Sequence, residues 1–185
     1  MIERPRAYTL RRRAQTQAET RRRIVEAAVA LHGTVGPAWT TLSAIAEAAG
    51  VQRHTVYAHF PDEAGLFAAC AQHFLANHPP PDVDAWRATR DPRRRAVSAL
   101  AELYAYYADN RRLIELVLRD SGFAPVGGGF IALQQRAAKA LAPSRTTGGA
   151  ALAAVATSFA AWSVLHESGL QPKAAARVMA RLISP

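Results

Sequence analysis

The sequence predicts an all-α protein in which a small N-terminal head precedes a larger helical body. Half of its 185 residues are hydrophobic, which is enough to form the core of one large or two small domains. Alanine is abundant and β-branched residues are sparse, a composition that favours helices. Apolar residues recur with the helical period between glycine and proline residues, and we find neither a credible strand nor an internal repeat.

The first helix is predicted from the apolar pattern that follows a basic N-terminal segment. We expect residues 1–18 to form a flexible basic arm, disordered or fraying to about residue 15. Thr16-Gln17-Ala18-Glu19 fits a capping box, with Thr20 as a competing start. Apolar residues then recur at helical spacing from Ile24 to Leu31, and the glycines and proline of residues 33–37 end the helix.

Three shorter helices complete a predicted head of residues 19–78. Thr40 or Thr41 can cap the second helix, and Gly50 stops it. Asp62 can cap the fourth helix. The predicted limits of these three helices are about 41–49, 52–58 and 62–77.

The stretch HPPPDVD, residues 78–84, indicates a rigid non-helical link to a body of residues 79–185. Further prolines fall at the junctions within the body, where proline starts or separates helices. The helices predicted for the body cover about 83–89, 92–109, 111–120, 128–141, 148–168 and 172–183.

The positive charge is concentrated at the N-terminus. Residues 1–23 hold eight Arg and two Glu, a net charge of +6 out of +9 for the whole chain. Such an arm predicts a polyanionic partner, either nucleic acid or an anionic membrane surface. We favour nucleic acid, because too few apolar residues precede Ile24 to form a membrane-binding amphipathic helix.

Cysteine content and hydropathy give an expectation about location. Cys70 is the only cysteine, so no intrachain disulfide can form, which fits a reducing compartment. We see no secretory signal and no apolar run of the length that spans a bilayer. We therefore expect a cytoplasmic protein with no membrane partner.

Residues 40–60, TTLSAIAEAAGVQRHTVYAHF, predict a helix-turn-helix. Small residues before the turn let two helices approach closely, while Val51 and Val56 fill the corner. The second helix then presents its polar residues outward, from Arg53 to His59. In this motif the second helix enters the major groove of DNA, with its N-terminal residues nearest the base edges.

The segment from about Glu19 to Asn77 resembles the DNA-binding head of the tetracycline-repressor (TetR) family of bacterial transcriptional regulators. The resemblance rests on Ile24 to Leu31 and on the ordered run IAxxAGV, TxYxHF and Leu66, which begins within residues 41–51. This run is more specific than a generic helix-turn-helix, and it covers roughly a third of the chain. The rest resembles the family only in helical layout and in the closing segment 159–183.

The resemblance implies a role for each matching residue. Arg53 and His54 would face base edges, and an arginine can hold guanine in a bidentate pair. Phe60 and Leu66 would belong to the core. The residues implied to hold phosphates are Thr41, Thr55, Tyr57 and His59.

Two positions depart from the family pattern. The family usually has Ser or Thr as a helix cap near Gln52, and glutamine caps poorly. It usually has Lys at the position of Glu63, where a carboxylate suits the helix dipole but repels DNA. The arginine-rich arm could offset the lost phosphate contact.

The sequence predicts no metal site, no cofactor and no catalytic residue. The histidine pairs 54/59 and 73/78 lack a Cys or carboxylate at ligand spacing. Gly127-Gly128-Gly129 has no following Lys-Ser/Thr and no preceding strand, so we interpret it as a flexible joint. Ser121, Ser158 and Ser163 have no neighbouring base that the sequence can show, so we expect no enzyme.

The body is expected to form a homodimer and to hold a small-molecule effector, as the resemblance implies. Two apolar stripes could form a four-helix interface or an intrachain core: 152–166, with Leu152, Val155, Phe159, Trp162, Leu165 and His166, and 175–183, with Ala175, Val178, Met179, Leu182 and Ile183. The candidate effector-binding residues, apolar walls with a few polar tips, are Leu103, Tyr104, Tyr107, Leu116, Phe123, Phe130 and Trp162.

Together these features predict a homodimeric, sequence-specific DNA-binding regulator. It would most simply be a repressor of a palindromic double-stranded operator, released by an apolar or aromatic effector. The alternative is a helical ligand-binding module or enzyme that retains the head without operator recognition. Sequence-selective binding to duplex DNA distinguishes the two.

Overall fold

A computed structural model describes residues 4–122, 126–142 and 147–184. Over these residues the chain forms ten α-helices and no strand, which confirms the predicted all-α class. It divides into two compact units, Met1–Asn77 with Glu115–Val126, and His78–Ile114 with Gly127–Pro185. Residues 115–126, which we expected in the body, therefore belong to the unit that contains the head.

The first unit contains four complete helices and one 3₁₀ turn. α1 is much longer than predicted, because it begins at Arg4, where we expected a flexible arm. Residues 6–32 contain no Gly or Pro and many good helix formers, so nothing in this stretch interrupts the helix. The elements are α1 Arg4–His32, the 3₁₀ turn Pro37–Trp39, α2 Leu42–Ala49, α3 Arg53–His59 and α4 Glu63–Asn77.

The predicted capping box at Thr16 is wrong. The Thr16 hydroxyl donates a hydrogen bond to the Arg12 carbonyl (3.0 Å), and the Thr20 hydroxyl donates to the Thr16 carbonyl (2.9 Å). Both threonines thus lie inside α1 and bond back to the preceding turn. A threonine predicts a cap only where the helix has not already begun.

The core of the first unit joins α1 to the next three helices. Phe60 and Leu66 belong to it, as the resemblance implied, each 3% exposed. Small side chains in α2 allow the close packing predicted for a helix-turn-helix. The buried residues are Ile24, Val25, Ala28, Ile45, Ala46, Ala49, Val56, Phe60, Leu66 and Cys70.

The second unit is built mainly from α5 packed against α10 and α7 packed against α8. The helix predicted over 83–89 is instead a short 3₁₀ turn, Ala85–Ala88. The division between the units falls within α6. The helices are α5 Pro92–Asp109, α6 Arg111–Asp120, α7 Gly128–Leu141, α8 Thr147–Thr157, α9 Phe159–Glu167 and α10 Pro172–Ile183.

The single helix predicted over 148–168 is broken at Ser158 into α8 and α9, which meet at 55°. The break frees the last carbonyls of α8, and two buried tyrosines of α5 satisfy them. The Tyr104 hydroxyl donates to the Ala156 carbonyl and the Tyr107 hydroxyl donates to the Thr157 carbonyl, both at 2.6 Å. No glycine or proline marks this break, so the sequence pattern did not reveal it.

The new helix start is capped from two sides. The Ser158 side chain accepts a hydrogen bond from the Ala161 amide (3.1 Å), and Gln134 Oε1 of α7 accepts one from the Phe159 amide (2.9 Å). These contacts satisfy amides that a helix N-terminus leaves unpaired. In the described part of the chain, no single helix has the length and hydropathy of a membrane span, although α8 and α9 reach both when taken together.

Candidate nucleic-acid interface

α3 exposes three of the predicted contact residues because its opposite side is anchored in the core. Val56 is fully buried, and Phe60, just after the helix, is nearly so. Arg53, His54 and Tyr57 are exposed to solvent. The helix therefore presents a guanidinium, an imidazole and a phenol on a rigid support, as a recognition helix requires.

Thr55 and His59 are half-buried, so they offer less surface than the other three residues of α3. The Thr55 amide donates to the Gln52 carbonyl (2.9 Å) and closes the first turn of the helix. Gln52 occupies the cap position, but its side chain makes no capping hydrogen bond. The first turn of α3 thus lacks the side-chain cap that Ser or Thr provides.

Arg53 and Tyr57 form a pair that sequence reasoning did not anticipate. Arg53 Nη2 donates to the Tyr57 hydroxyl (3.1 Å), and the guanidinium carbon lies 5.6 Å from the centre of the ring. The spacing of four residues places both side chains on one side of α3. The pair restricts the arginine before any ligand arrives, which lowers the entropy cost of ordering it.

The turn between α2 and α3 is closed by Gly50 and by an arginine from α1. Gly50 has φ 63° and ψ 41°, and the Val51 amide donates to the Ala46 carbonyl (2.9 Å). Arg23 Nη2 donates to the carbonyls of Ala49 and of Gly50, the latter at 3.1 Å. A left-handed glycine and a cation at the C-terminus of α2 together satisfy the carbonyls that the helix end leaves free.

Arg21 of α1 binds the C-terminal end of α3, as Arg23 binds the C-terminal end of α2. Its Nη1 donates to the His59 carbonyl (3.5 Å), and its guanidinium lies 4.1 Å from the centre of the Phe60 ring. Arg22 instead bonds Glu19 and Glu26 on either side of it along α1. The hydrogen bond from Arg22 lowers the pKa of the Glu19 carboxyl. Arg21, Arg22 and Arg23 are thus engaged within the protein.

Three further arginines of the N-terminal segment, Arg11, Arg12 and Arg13, are exposed on α1. Arg12 lies 5.8 Å from the centre of the Tyr8 ring, one turn away. Because this part of α1 is helical, it carries its charges along a rod rather than on a flexible arm. Arg11, Arg12 and Arg13 therefore place three exposed positive charges within one helical turn.

Thr41 is the residue that caps α2. Its hydroxyl oxygen accepts a hydrogen bond from the Ala44 amide (3.1 Å), while Thr40 donates to the Gly36 carbonyl (2.8 Å). A capping hydroxyl keeps its own proton available, and a helix N-terminus favours anions. Thr41 is exposed and in a position to donate to a phosphate.

Two exposed acidic residues mark the start of α4. Asp62 Oδ1 accepts a hydrogen bond from the Gly65 amide (2.7 Å), as its predicted capping role requires. Glu63 is the first residue of the helix and is exposed. Both carboxylates suit the positive end of the helix dipole, and both oppose the approach of a phosphate.

Sequence reasoning missed Trp39. Its side chain is 73% exposed, in the 3₁₀ turn that leads to Thr40 and Thr41. A large exposed aromatic side chain is costly to keep in water and commonly marks a contact surface. The available signal was its position two residues before Thr41, which caps α2.

A buried histidine lies beneath the same turn. His32 is 6% exposed and stacks on Phe67 with ring centres 5.5 Å apart. Burial lowers the pKa of His32 to about 4, although the Asp120 carboxylate acts in the opposite direction. His32 is therefore neutral near pH 7. It lines a cavity of about 140 Å³ together with Phe67 and Glu63.

Residues 24–70, which contain α2, α3 and most of the core of the first unit, match the family model for bacterial regulatory proteins of the tetR family. This segment is thus similar to the N-terminal DNA-binding domain of that family. The head is thus the DNA-binding domain of a transcriptional regulator, as the motif predicted. A comparison with curated proteins gave no significant match.

The matched segment ends at residue 70, so Arg11–Arg13 and the second unit lie outside it. Within the described residues, no group of three or more His, Cys, Asp or Glu is placed to hold a metal ion. The arginine, histidine and tyrosine side chains that α3 exposes are suited to contacts with polyanions.

The structure places the predicted effector residues in different surroundings. Tyr104, Tyr107 and Trp162 are fully buried together, and the rings of Tyr107 and Phe130 lie 5.6 Å apart. Leu103 is also fully buried. Phe123 lies outside the described residues, and Leu116 belongs to the first unit.

The tyrosine hydroxyls of this aromatic group are already engaged at the α8–α9 break. Trp162 Nε1, in contrast, donates to no described residue, although its ring is fully buried. The indole stacks on His166 with ring centres 4.9 Å apart. Trp162 thus offers a buried hydrogen-bond donor beside aromatic walls.

Proposed function

We propose that the protein is a homodimeric repressor that binds a palindromic operator through α3. The observation that carries the proposal is the exposed group Arg53, His54 and Tyr57, held by a helix whose other side is buried. Arg53 would read guanine through a bidentate hydrogen bond, a contact that discriminates by about 1–3 kcal/mol. Thr41 and Tyr57 would hold phosphates and fix the register of the helix in the groove.

The basic rod at the start of α1 supports the same partner. Arg21 ties α1 to the C-terminal end of α3, so the exposed turn with Arg11, Arg12 and Arg13 continues the helix that flanks the recognition element. Phosphates border the major groove on both sides. We expect these three arginines to strengthen binding to any sequence, through release of counterions.

The homodimer is supported by an uncharged surface on α8 and α9. Residues 146–165 contain no Asp, Glu, Lys or Arg, and Leu152, Val155 and Val164 are 42–64% exposed. Phe159 and Trp162, from the same predicted stripe, lie in the core instead. α10 adds exposed Val178 and Leu182. An apolar patch of this kind suits an isologous contact with a second copy.

Oligomeric state tests that surface. Val164→Lys should shift the protein to monomers in sedimentation velocity, because a charge would be buried at the contact. Leu75→Lys is the matched control, since Leu75 is 45% exposed on α4 and should leave the sedimentation unchanged. A wild-type protein that remains monomeric at all concentrations would contradict the dimer.

An apolar or aromatic effector is supported by the buried aromatic group of the second unit. Tyr107, Phe130, Phe159 and Trp162 provide walls, and the free indole N–H of Trp162 provides a donor for an acceptor on the ligand. Such an effector releases DNA only by binding one dimer shape better than the other. Quenching of tryptophan fluorescence by candidate aromatic acids tests this part.

Selection from random duplex DNA at two salt concentrations tests the operator. Recovery of a palindrome, with half-sites about 34–36 Å apart, would support the proposal. Arg53→Ala should relax the preference at one base pair, whereas Thr41→Ala should weaken binding to all sequences alike. Arg93→Ala, which removes an exposed positive charge from α5 of the second unit, controls for net charge.

The alternative is a helical ligand-binding module or enzyme that has lost operator recognition. The uncapped first turn of α3 and the exposed Glu63 favour it. Salt-sensitive binding without any sequence preference would shift the assignment to this alternative, because the basic rod alone produces such binding.

A further inference from the structure

The short connection between α1 and α2 decides where the DNA-facing end of α2 lies. The Val35 amide donates to the Leu31 carbonyl (2.9 Å), and the Thr40 hydroxyl donates to the Gly36 carbonyl (2.8 Å). Only two residues, Trp39 and Thr40, separate Ala38 from Thr41. A displacement of the connection therefore carries the Thr41 hydroxyl with it.

The last two residues of α6, which belong to the same unit, hold this connection. Arg119 Nη2 donates to the Val35 carbonyl (2.7 Å), and Asp120 Oδ2 accepts from the Ala38 amide (3.0 Å). The two side chains also pair with each other, with Arg119 Nε 2.7 Å from Asp120 Oδ1. We call Arg119 and Asp120 the 119–120 clamp.

The two side chains of the clamp differ in burial, because the Arg119 side chain is half-exposed and Asp120 is buried. Asp120 is 2% exposed, and its carboxylate is satisfied by Arg119 and by the Ala38 amide. Those hydrogen bonds, chiefly the one from Arg119, lower the pKa of Asp120. The carboxylate is therefore ionised near neutral pH and makes charge-assisted contacts.

Gly36 is shaped to admit the clamp. Its φ of 99° lies in the region that favours glycine, and a Cβ at this position would overlap Arg119 Nη2 and Asp120 Oδ2. The backbone thus makes room for two side chains that are more than 80 residues away in sequence. The segment that matches the TetR family ends at residue 70, so the clamp comes from outside it.

We propose that Arg119 and Asp120 are positioning residues for DNA binding. They touch no DNA themselves; they fix the α1–α2 connection so that Thr41 and the N-terminus of α2 meet a phosphate. This inference rests on the proposed DNA contact of Thr41. The clamp also makes the head dependent on a helix end that follows it by some 40 residues.

A double-mutant cycle on a selected operator duplex tests the proposal. Asp120→Ala should weaken binding about tenfold, and the effect of Thr41→Ala should nearly vanish in that background, because the phosphate contact is already lost. Arg53→Ala should cost the same factor with and without Asp120→Ala. If the clamp only stabilises the fold, Asp120→Ala lowers the fraction of folded protein. Thr41→Ala and Arg53→Ala would then each weaken binding by the same factor with and without Asp120→Ala, and this result would overturn the proposal.

A second variant guards against loss of folding. Arg119→Met keeps the aliphatic part of a half-exposed side chain, removes the bond to the Val35 carbonyl and should show the same coupling to Thr41. Arg93→Met matches its loss of one positive charge and should show no coupling. Equal coupling in both arginine variants would contradict the role of the clamp.

Hydrogen exchange measures the clamp without DNA. Asp120→Ala and Arg119→Met should speed exchange of the amides in residues 34–41 and leave α7 unchanged. Unchanged exchange in 34–41 would overturn the inference whatever the operator result. If the wild type selects no sequence, the operator proposal fails, and the cycle is run on a mixed-sequence duplex at low salt. Absence of Thr41 coupling there, or of any binding, would overturn the positioning role as well.

Discussion

Two helix breaks in this chain are closed by opposite means. Between α2 and α3, Gly50 adopts a left-handed conformation and the backbone satisfies its own carbonyls, with help from Arg23. Between α8 and α9, no residue has an unusual backbone, and Tyr104, Tyr107 and Gln134 reach across from other helices. The first break is specified by local sequence and the second by tertiary contacts.

The difference shows which helix ends can be predicted from the sequence. Gly50 costs a helix about 1 kcal/mol and adopts the left-handed region freely, so it predicts a stop at its own position. Around Ser158 the residues are mostly alanine, which favours helix through the break. The break persists because the tyrosine hydroxyls donate to the carbonyls of α8 that it frees. If the helix were continuous, these buried hydroxyls would have no acceptors.

The largest expected effect comes from removing those donors. Tyr104→Phe combined with Tyr107→Phe leaves the carbonyls of Ala156 and Thr157 buried without a tyrosine partner, at a cost of about 2–5 kcal/mol in total. Urea denaturation should show a lower midpoint with an unchanged slope. Tyr106→Phe, on the same helix but with no hydroxyl contact to a described residue, should change stability little. A double variant as stable as the wild type would mean the break needs no donors.

Alkaline pH should act on the α8–α9 break. Burial raises the pKa of both Tyr104 and Tyr107 above the ordinary value of 10.0. A raised folded pKa contributes stability that is complete below the unfolded pKa and is lost as pH rises through the folded pKa. From pH 9 to pH 11 the free energy of unfolding should fall by roughly 3 kcal/mol because of these two tyrosines.

The Tyr104→Phe/Tyr107→Phe variant controls the alkaline experiment, because it lacks both ionisable groups. Its unfolding free energy should fall less over the same pH interval. Equal pH dependence in the variant and the wild type would show that other groups, and not the tyrosines at the break, account for the loss.

The features that the sequence did and did not predict follow the same division between local signals and tertiary contacts. The head motif was predicted because Gly50 and the apolar spacing around it are local signals, and the exposed face of α3 follows from that spacing. The roles of Arg21 and Arg23 were not predicted, since their acceptors lie 38 and 26 residues away. From composition we expected these arginines to bind a partner. Within the protein they instead donate to carbonyls at the C-terminal ends of α3 and α2.

The same reasoning explains the misplaced start of α1 and the unforeseen position of residues 115–126. A basic stretch without apolar periodicity was expected to be flexible, yet good helix formers without Gly or Pro continue a helix that the core of the head already anchors. Arg119 and Asp120 carry no local mark of their role. Gly36 is a residue type that permits a close approach to the backbone, but the sequence does not show which side chains approach it.

A moderate effect is expected at the glycine of the first break. Gly50→Ala forces a side chain into the left-handed region at about 1–2 kcal/mol, and the new Cβ would lie 3.0 Å from Arg23 Nη2. Gly33→Ala is the matched control, because its Cβ would make ordinary contacts at 3.6 Å without a positive φ. Thermal unfolding should separate the two. Equal losses would mean that backbone conformation is not what closes this turn.

The smallest effect, and the most discriminating, is expected at Ser158. Ser158→Ala removes one cap at about 1 kcal/mol, while Ser158→Gly should cost only a few tenths, as at other N-caps. Alanine also favours a continuous helix, so local sequence would then oppose the break entirely. Because Tyr104, Tyr107 and Gln134 still bind the freed groups, we expect helicity by circular dichroism to stay constant. A rise in helicity would show that Ser158, and not the tertiary contacts, makes the break.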